Sequence, residues 1–446
     1  MDEVQRLYDT VERVDRFPGV DQMHAFVDDL AARYPDRVAV EPIGRSRGGD
    51  QIQDVRVGSG PNHVIVIGGP HPNEPIGLLT IQHLLRQLCA EDDLLARMAA
   101  TWHFVPCVDP DGTRLNEGWY AGPITREHVA RHMYRPPIDE QPEWTFPATW
   151  RGTGFGSPIP ETQALMTLID RTEPALIASL HNGDFGGGFF YVAGGDPTYF
   201  TALTQLLADA DIPPHLSEPD APGARPLHPG VFELPTIEQL CDTMAAAGAD
   251  PLSFFPGGCS RDYSSPYGTA FLVCELPLWT DPRSADATPG DQTLREVALA
   301  AAVAYRDVHD RVAGILDRVS SQLSGHSPVQ RALTEGLPTV LAMAQAKEAT
   351  ATDDRTATNA EIFLDQLAFP SMLRLRVGGM LLRLLSDEAA PVFARERAEF
   401  APVFDEWCAE VRATAPGDLV PLDRLVAVQS AAIGLAVTRI RDGLPI

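Results

Sequence analysis

The chain has 446 residues, more than one hydrophobic core usually organises, so two domains or one large domain with a substantial addition are expected. Its 44% hydrophobic and 22% charged residues are a globular composition and exclude a disordered chain. Sixty-one acidic against 35 basic side chains give a net charge of −26, which argues against a nucleic-acid partner and against an anionic membrane surface.

The opening MDEVQRLYDT has neither the basic start nor the apolar run of a secretory signal, and no apolar run is long enough to cross a bilayer. The six cysteines, at 89, 107, 241, 259, 274 and 408, contain no CxxC pair. The expectation is a cytoplasmic protein with reduced thiols.

Met23, Phe26, Leu30 and Ala31 recur at helical spacing and predict an amphipathic helix over 21–34. Two β-branched runs around a Gly-rich turn predict a hairpin over 38–58. Residues 44–48 (GRSRG) fit the nucleophile-elbow pattern GxSxG, but a β-type segment follows them where that elbow needs a helix, so they read as the hairpin turn. HVIVIGG, 63–69, is a continuous apolar run suited to a strand buried on both faces. A helix follows, beginning near Pro75, where proline's missing N–H costs nothing. TWHFVPCV (101–108) predicts a strand, and 115–160 a long irregular region. A helix over 159–171, a strand over 175–180 ending at His181, and a last buried strand over 268–276 complete an alternating pattern. That alternation predicts an α/β fold with a mixed, largely parallel sheet and flanking helices.

After about residue 290 the pattern is helical throughout, with no strand expected. Val297, Ala301, Tyr305, Val308, Val312, Ile315 and Val319 form one apolar stripe. The expected division is an α/β domain over 1–309 and an all-helical C-terminal domain over 310–446. The helical part is expected to roof the site, join two copies of the chain into a homo-oligomer, or recruit a partner.

The strongest local signal is HPNE, 71–74, between a buried strand and a helix. Sites in α/β sheets gather at the carboxyl ends of strands. An imidazole and a carboxylate three residues apart on a tight turn can reach one ion, and a catalytic zinc takes three protein ligands and a water. His181, at the end of another strand, is positioned to be the third ligand after His71 and Glu74.

These segments together resemble the zinc carboxypeptidase family, from about residue 18 to 280. The 24–52 stretch resembles its N-terminal helix and hairpin. GGPHPNEPIG resembles its zinc motif, VDPDG its Asn-Pro-Asp-Gly turn, and SPIPETQALMTLI the helix before its second metal strand. ASLHN resembles the strand of its distal histidine, and FLVCEL the strand of its catalytic glutamate. The resemblance implies a zinc metallopeptidase of carboxypeptidase type. One Zn²⁺ would be held by His71, Glu74 and His181, Glu275 would be general base, and Arg135 would stabilise the oxyanion, with Arg131 a rival for that post.

The substrate side departs from the family. The Asn-Arg pair that holds a terminal carboxylate corresponds to Glu143 and Trp144, and a glutamate there would repel a carboxylate. Arg151 is a nearby substitute, and Tyr263 and Tyr267 are candidates for the family's substrate-covering tyrosine. The expected substrate is a peptide or an acylated amino acid. Two alternatives stay open: an N-acyl amino acid deacylase related to aspartoacylase, and a non-catalytic binding protein on the same fold.

Overall fold

The computed structural model describes residues 2–446 apart from 220, 247, 249 and 326. Its centre is a ten-stranded sheet. The strands are β1 (Val38–Arg45), β2 (Gln51–Val57), β3 (Asn62–Gly68), β4 (Ala100–Val105), β5 (Leu176–Gly186), β6 (Phe189–Val192), β7 (Arg225–His228), β8 (Val231–Glu233), β9 (Ala270–Thr280) and β10 (Asp418–Leu419). Their order is β1-β2-β4-β3-β5-β9-β6-β8-β7, with β10 added beside β9. The central strands β4, β3, β5 and β9 run parallel, while β1, β2 and β6 join antiparallel. This is the mixed, largely parallel sheet that the alternating pattern predicts.

The central strands are apolar on both faces because helices cover both. On β3, Val64 and Val66 face one core while Ile65 and Ile67 face the other. On β9, Leu272, Cys274 and Leu276 belong to the first core, Phe271 and Val273 to the second. Each fully buried aliphatic side chain contributes about 1.5–3 kcal/mol, which is why these short runs need no polar face to stay in register. The GRSRG segment forms the β1–β2 turn, closed by Ser46 N–H to the Asp50 carbonyl at 2.8 Å.

The helical region builds a separate apolar cluster from Leu294–Val319, Pro328–Thr350, Phe369–Asp387 and Pro391–Thr414. The stripe from Ala301 to Val319 faces into it. The last helix, Leu422–Arg441, does something else. Its Leu425, Val428, Ala432 and Ile433 are buried in the sheet's own core. The expectation of no strand after 290 is corrected. Thr356–Thr358 pairs with Pro289–Thr293, and Asp418–Leu419 pairs with β9. Segments of two to five residues are too short to imprint an alternating pattern on the sequence.

The six cysteines are unpaired, and all but Cys259 are buried. Among the described residues, no helix is long and apolar enough to cross a membrane.

Candidate metal centre

The site begins where β3 stops. β3 pairs with β5 as far as Gly68 opposite Leu180. The chain then leaves the sheet through Gly69, whose φ of 62° is the left-handed conformation that glycine adopts at least cost. A tight turn follows, closed by Glu74 N–H to the His71 carbonyl at 3.0 Å. The helix Ile76–Ala90 starts at once, with Pro75 as its cap residue. It lies so close to the sheet that a Cβ on Gly77 would sit 2.8 Å from Leu180 Cβ. Asn182 ties this helix start to β5 by accepting the Ile76 N–H at 3.1 Å.

β5 continues past His181 to Gly186, further than the sequence pattern implies, because β9 keeps pairing with it. His181 is therefore the first residue of β5 beyond the end of β3, and the His71 turn fills the space alongside. On β5, Ile177, Ser179 and His181 alternate onto one face, as Phe271, Val273 and Glu275 do on β9. The parallel register sets Glu275 directly opposite His181. Their side chains approach to 3.5 Å, Glu275 Oε1 to His181 Nδ1.

His71, Glu74 and His181 converge. Glu74 Oε2 is 3.0 Å from His71 Nδ1 and 2.9 Å from His181 Nδ1, and the two Nδ1 atoms are 3.1 Å apart. All three residues are buried, and their ligand atoms lie within 4.8 Å of one another. Burial, with the neighbouring Arg135 charge, pushes His71 down to about 3 against the pull of Glu74, so its ring is neutral near pH 7. Burial opposes the Glu74 charge too, but the Arg135 guanidinium and hydrogen bonds from the His71 and His181 rings overcome it and hold the carboxyl well below its usual range. Two imidazole nitrogens and a carboxylate are the donor set a zinc ion takes. The close approach of two ring nitrogens, and a buried His71 Nε2 with no partner among the described residues, leave polar groups whose needs these residues alone do not meet. The residues present fit the metal.

The surroundings hold these donors in place. Arg135 Nη1 donates to Glu74 Oε1 at 2.6 Å and to Asn73 Oδ1 at 3.3 Å, while its Nη2 donates to Gln141 at 3.3 Å. The far nitrogen of His181 meets Ser179 Oγ at 3.0 Å, and Ser179 in turn reaches Glu143 at 3.4 Å. Gln429, on the last helix, donates to the His181 carbonyl at 2.9 Å and accepts from Thr80 Oγ1 at 2.7 Å. Asn73, Gln141, Ser179 and Gln429 escaped the sequence reading. Only Gln429 carries a signal there, as a lone amide in the apolar run LVAVQSAAIGLAV.

The remaining candidates lie elsewhere. Glu143 is buried and accepts from Ser260 N–H and Ser260 Oγ, both at 3.0 Å. Trp144 stacks on Phe255 at 5.5 Å. Arg151 pairs with Asp242 at the surface, and Arg131 pairs with Glu127 and Asp405. Tyr263 and Tyr267 both donate to Asp170. Of these six, only Glu143 connects to the cluster, through Ser179.

A buried pair of histidines with one carboxylate, at the end of a largely parallel sheet, is a donor cluster of the kind in which hydrolases hold a metal. The zinc carboxypeptidase family model matches residues 23–325, and the chain belongs to that family. Membership supports a metallopeptidase and implies zinc. Zinc carboxypeptidase A 1 of Anopheles gambiae is 32% identical over 143 residues, 30% of this chain and 32% of that protein. Carboxypeptidase B of Astacus astacus is 27% identical over 99 residues, 21% of this chain and 32% of that protein. The chain thus matches about a third of the length of these curated relatives. Among solved structures, carboxypeptidase A of Helicoverpa armigera is 15% identical, covering 60% of this chain and 66% of that one, with a TM-score of 0.38. The metallo-carboxypeptidase of Burkholderia cenocepacia is 16% identical, covering 58% of this chain and 60% of that one, with a TM-score of 0.35.

Proposed function

We propose that this protein is a zinc-dependent hydrolase of carboxypeptidase type that cleaves an amide bond in a peptide. The observation that carries the reading is the convergence of His71, Glu74 and His181 with Glu275 3.5 Å from His181. The three converging side chains would hold one ion. Bound zinc supplies hydroxide near neutral pH by lowering the pKa of its water to about 7.

The chain's own residues do the rest. Glu275 accepts the proton of the attacking water and passes it to the leaving nitrogen, which departs as a neutral amine. Its side chain is only 13% exposed, which limits competition from bulk water for that proton. Arg135 is fixed by Glu74, Asn73 and Gln141, so its positive charge is in place before the carbonyl oxygen gains negative charge. Ser179 and the Gln429 amide orient His181 from its ring and its backbone.

The test is metal analysis of the purified protein together with a hydrolysis screen. Peptides with free C-termini and N-acylated amino acids are both offered. About one zinc per chain and release of C-terminal residues are expected. Release of acyl groups alone would move the assignment to a deacylase, and a protein that takes up no zinc would overturn it.

A further inference from the structure

We propose that Arg376, on the helix Phe369–Asp387 of the C-terminal helical region, is a specificity-determining residue that binds the substrate's terminal carboxylate. This deepens the hydrolase reading above and rests on it.

Arg376 approaches the proposed metal centre by way of Asp184, from outside the matched stretch 23–325. Its Nε donates to Asp184 Oδ2 at 2.9 Å, and both side chains are only 16% exposed. Asp184 stands three residues beyond His181 on β5, where the pairing with β9 continues through Gly183 and Pro277 to Phe185 and Trp279. A crevice with room for about one water lies here, lined by Arg126, Asp184, Phe185, Trp279, Met372 and Arg376. Burial works against the Arg376 charge, but Asp184, then Glu74 and Glu275, outweigh it and hold the guanidinium above its usual range. Arg376 thus lies within the field of both site carboxylates. The same field joins it to Arg135, which feels Glu74, Arg376 and Glu275 together.

The geometry leaves the useful edge of the group open. Asp184 holds the Nε side, and no described residue forms a hydrogen bond with either Nη. Two parallel N–H donors are what a carboxylate accepts in bidentate fashion. The charge balance agrees. With a divalent ion in the centre, that ion and the two guanidiniums outweigh Glu74, Glu275 and Asp184, so the site favours an anionic substrate. Arg151, the sequence candidate for this role, is paired with Asp242, and Arg131, the rival of Arg135 for the oxyanion, is paired with Asp405.

The helix is anchored so that Arg376 cannot drift. Arg376, Gly379 and Arg383 follow one another at helical spacing along one side. A Cβ on Gly379 would lie 1.7 Å from the Ala130 carbonyl oxygen, so the helix packs there at backbone distance. One turn further, Arg383 donates to the Leu115 carbonyl at 2.7 Å and to the His132 carbonyl at 3.1 Å.

The experiment compares acids with amides. N-acetyl dipeptides ending in an apolar, a basic or an acidic residue are prepared with free and with amidated C-termini. Binding to zinc-loaded Glu275→Gln protein is measured by calorimetry, and kcat/KM on the zinc-loaded parent enzyme. The acids should bind better than the amides. Arg376→Gln should cut that preference roughly 10–100-fold while zinc content stays unchanged, and Arg376→Lys should restore part of it. A merely structural role would weaken acids and amides alike. Equal binding of acids and amides by the parent, or an unchanged ratio in Arg376→Gln, would overturn the proposal. If zinc uptake and Glu275-dependent hydrolysis persist in that case, the hydrolase reading survives it. If both are absent, the hydrolase reading itself has failed.

Discussion

Glu275 and His181 are register partners on adjacent parallel strands, and their side chains meet at 3.5 Å. The pleat alone puts both on one face, so the proposed base and the proposed metal donor are fixed by backbone pairing and not by loop conformation. Glu275 is outside the three-donor cluster. Glu275→Gln is therefore expected to keep its zinc while hydrolysis falls roughly 10²–10⁴-fold. Metal stoichiometry beside kcat checks this. Loss of zinc in the variant would make Glu275 a ligand instead.

The donors themselves should behave oppositely. His71→Ala and His181→Ala each leave two of three ligands. The parent should gain thermal stability with added zinc, by about 4 kcal/mol at a thousandfold excess over Kd, and lose that gain with a chelator. Neither variant should show the gain at the same zinc concentration. A melting curve indifferent to zinc in the parent would remove the metal from the account.

Much of this was legible because burial leaves strong local patterns. VIVI and FLVCEL are continuous apolar runs whose only stable home is a strand covered on both faces, and the residues just past such strands line the site. The substrate side was less legible. A motif position gives a residue type but not the direction its side chain takes. Glu143 turns inward to Ser260, a contact 117 residues away in sequence. Arg376 had no local signal at all. In the segment LRLRVGGMLLRLL three arginines recur on an amphipathic helix, and only tertiary packing decides which one meets Asp184.

Gln429 shows how far that packing reaches. It links Thr80, on the helix after the metal turn, to the His181 carbonyl. Gln429→Leu would leave both groups buried and unpaired. A loss of about 1–3 kcal/mol in urea unfolding is expected, with weaker zinc binding because His181 is less well held. An unchanged zinc affinity would limit Gln429 to a packing role.

Gly379 tests the anchoring of the helical region. A methyl group there meets the Ala130 carbonyl at a distance no packing tolerates. Gly379→Ala should destabilise the fold by at least about 1–3 kcal/mol. A stability equal to that of the parent would show that the helix is free to shift, and the position of Arg376 with it.

His215 sits at the seam between sheet and helical region, with Phe189, Phe232 and Phe369 around its ring at 5.2, 6.2 and 6.0 Å. It is 2% exposed and its Nε2 has no partner among the described residues. Burial lowers its pKa to about 4, only partly opposed by a backbone hydrogen bond at Glu218. The folded state therefore favours the neutral ring. Above about pH 6.5, the unfolded value, this residue contributes no pH dependence. Between 6.5 and about 4 the unfolded chain binds the extra proton, so stability falls as pH falls. His215→Phe keeps an aromatic ring in the seam and removes the titration. Unfolding free energies at pH 7.5 and 4.5, measured with chelator present so that zinc release does not enter, should differ by roughly 1–3 kcal/mol less in the variant than in the parent. The same acid sensitivity in both proteins would mean that His215 is protonated in the folded state at little cost, and that the seam is wetter than its aromatic neighbours imply.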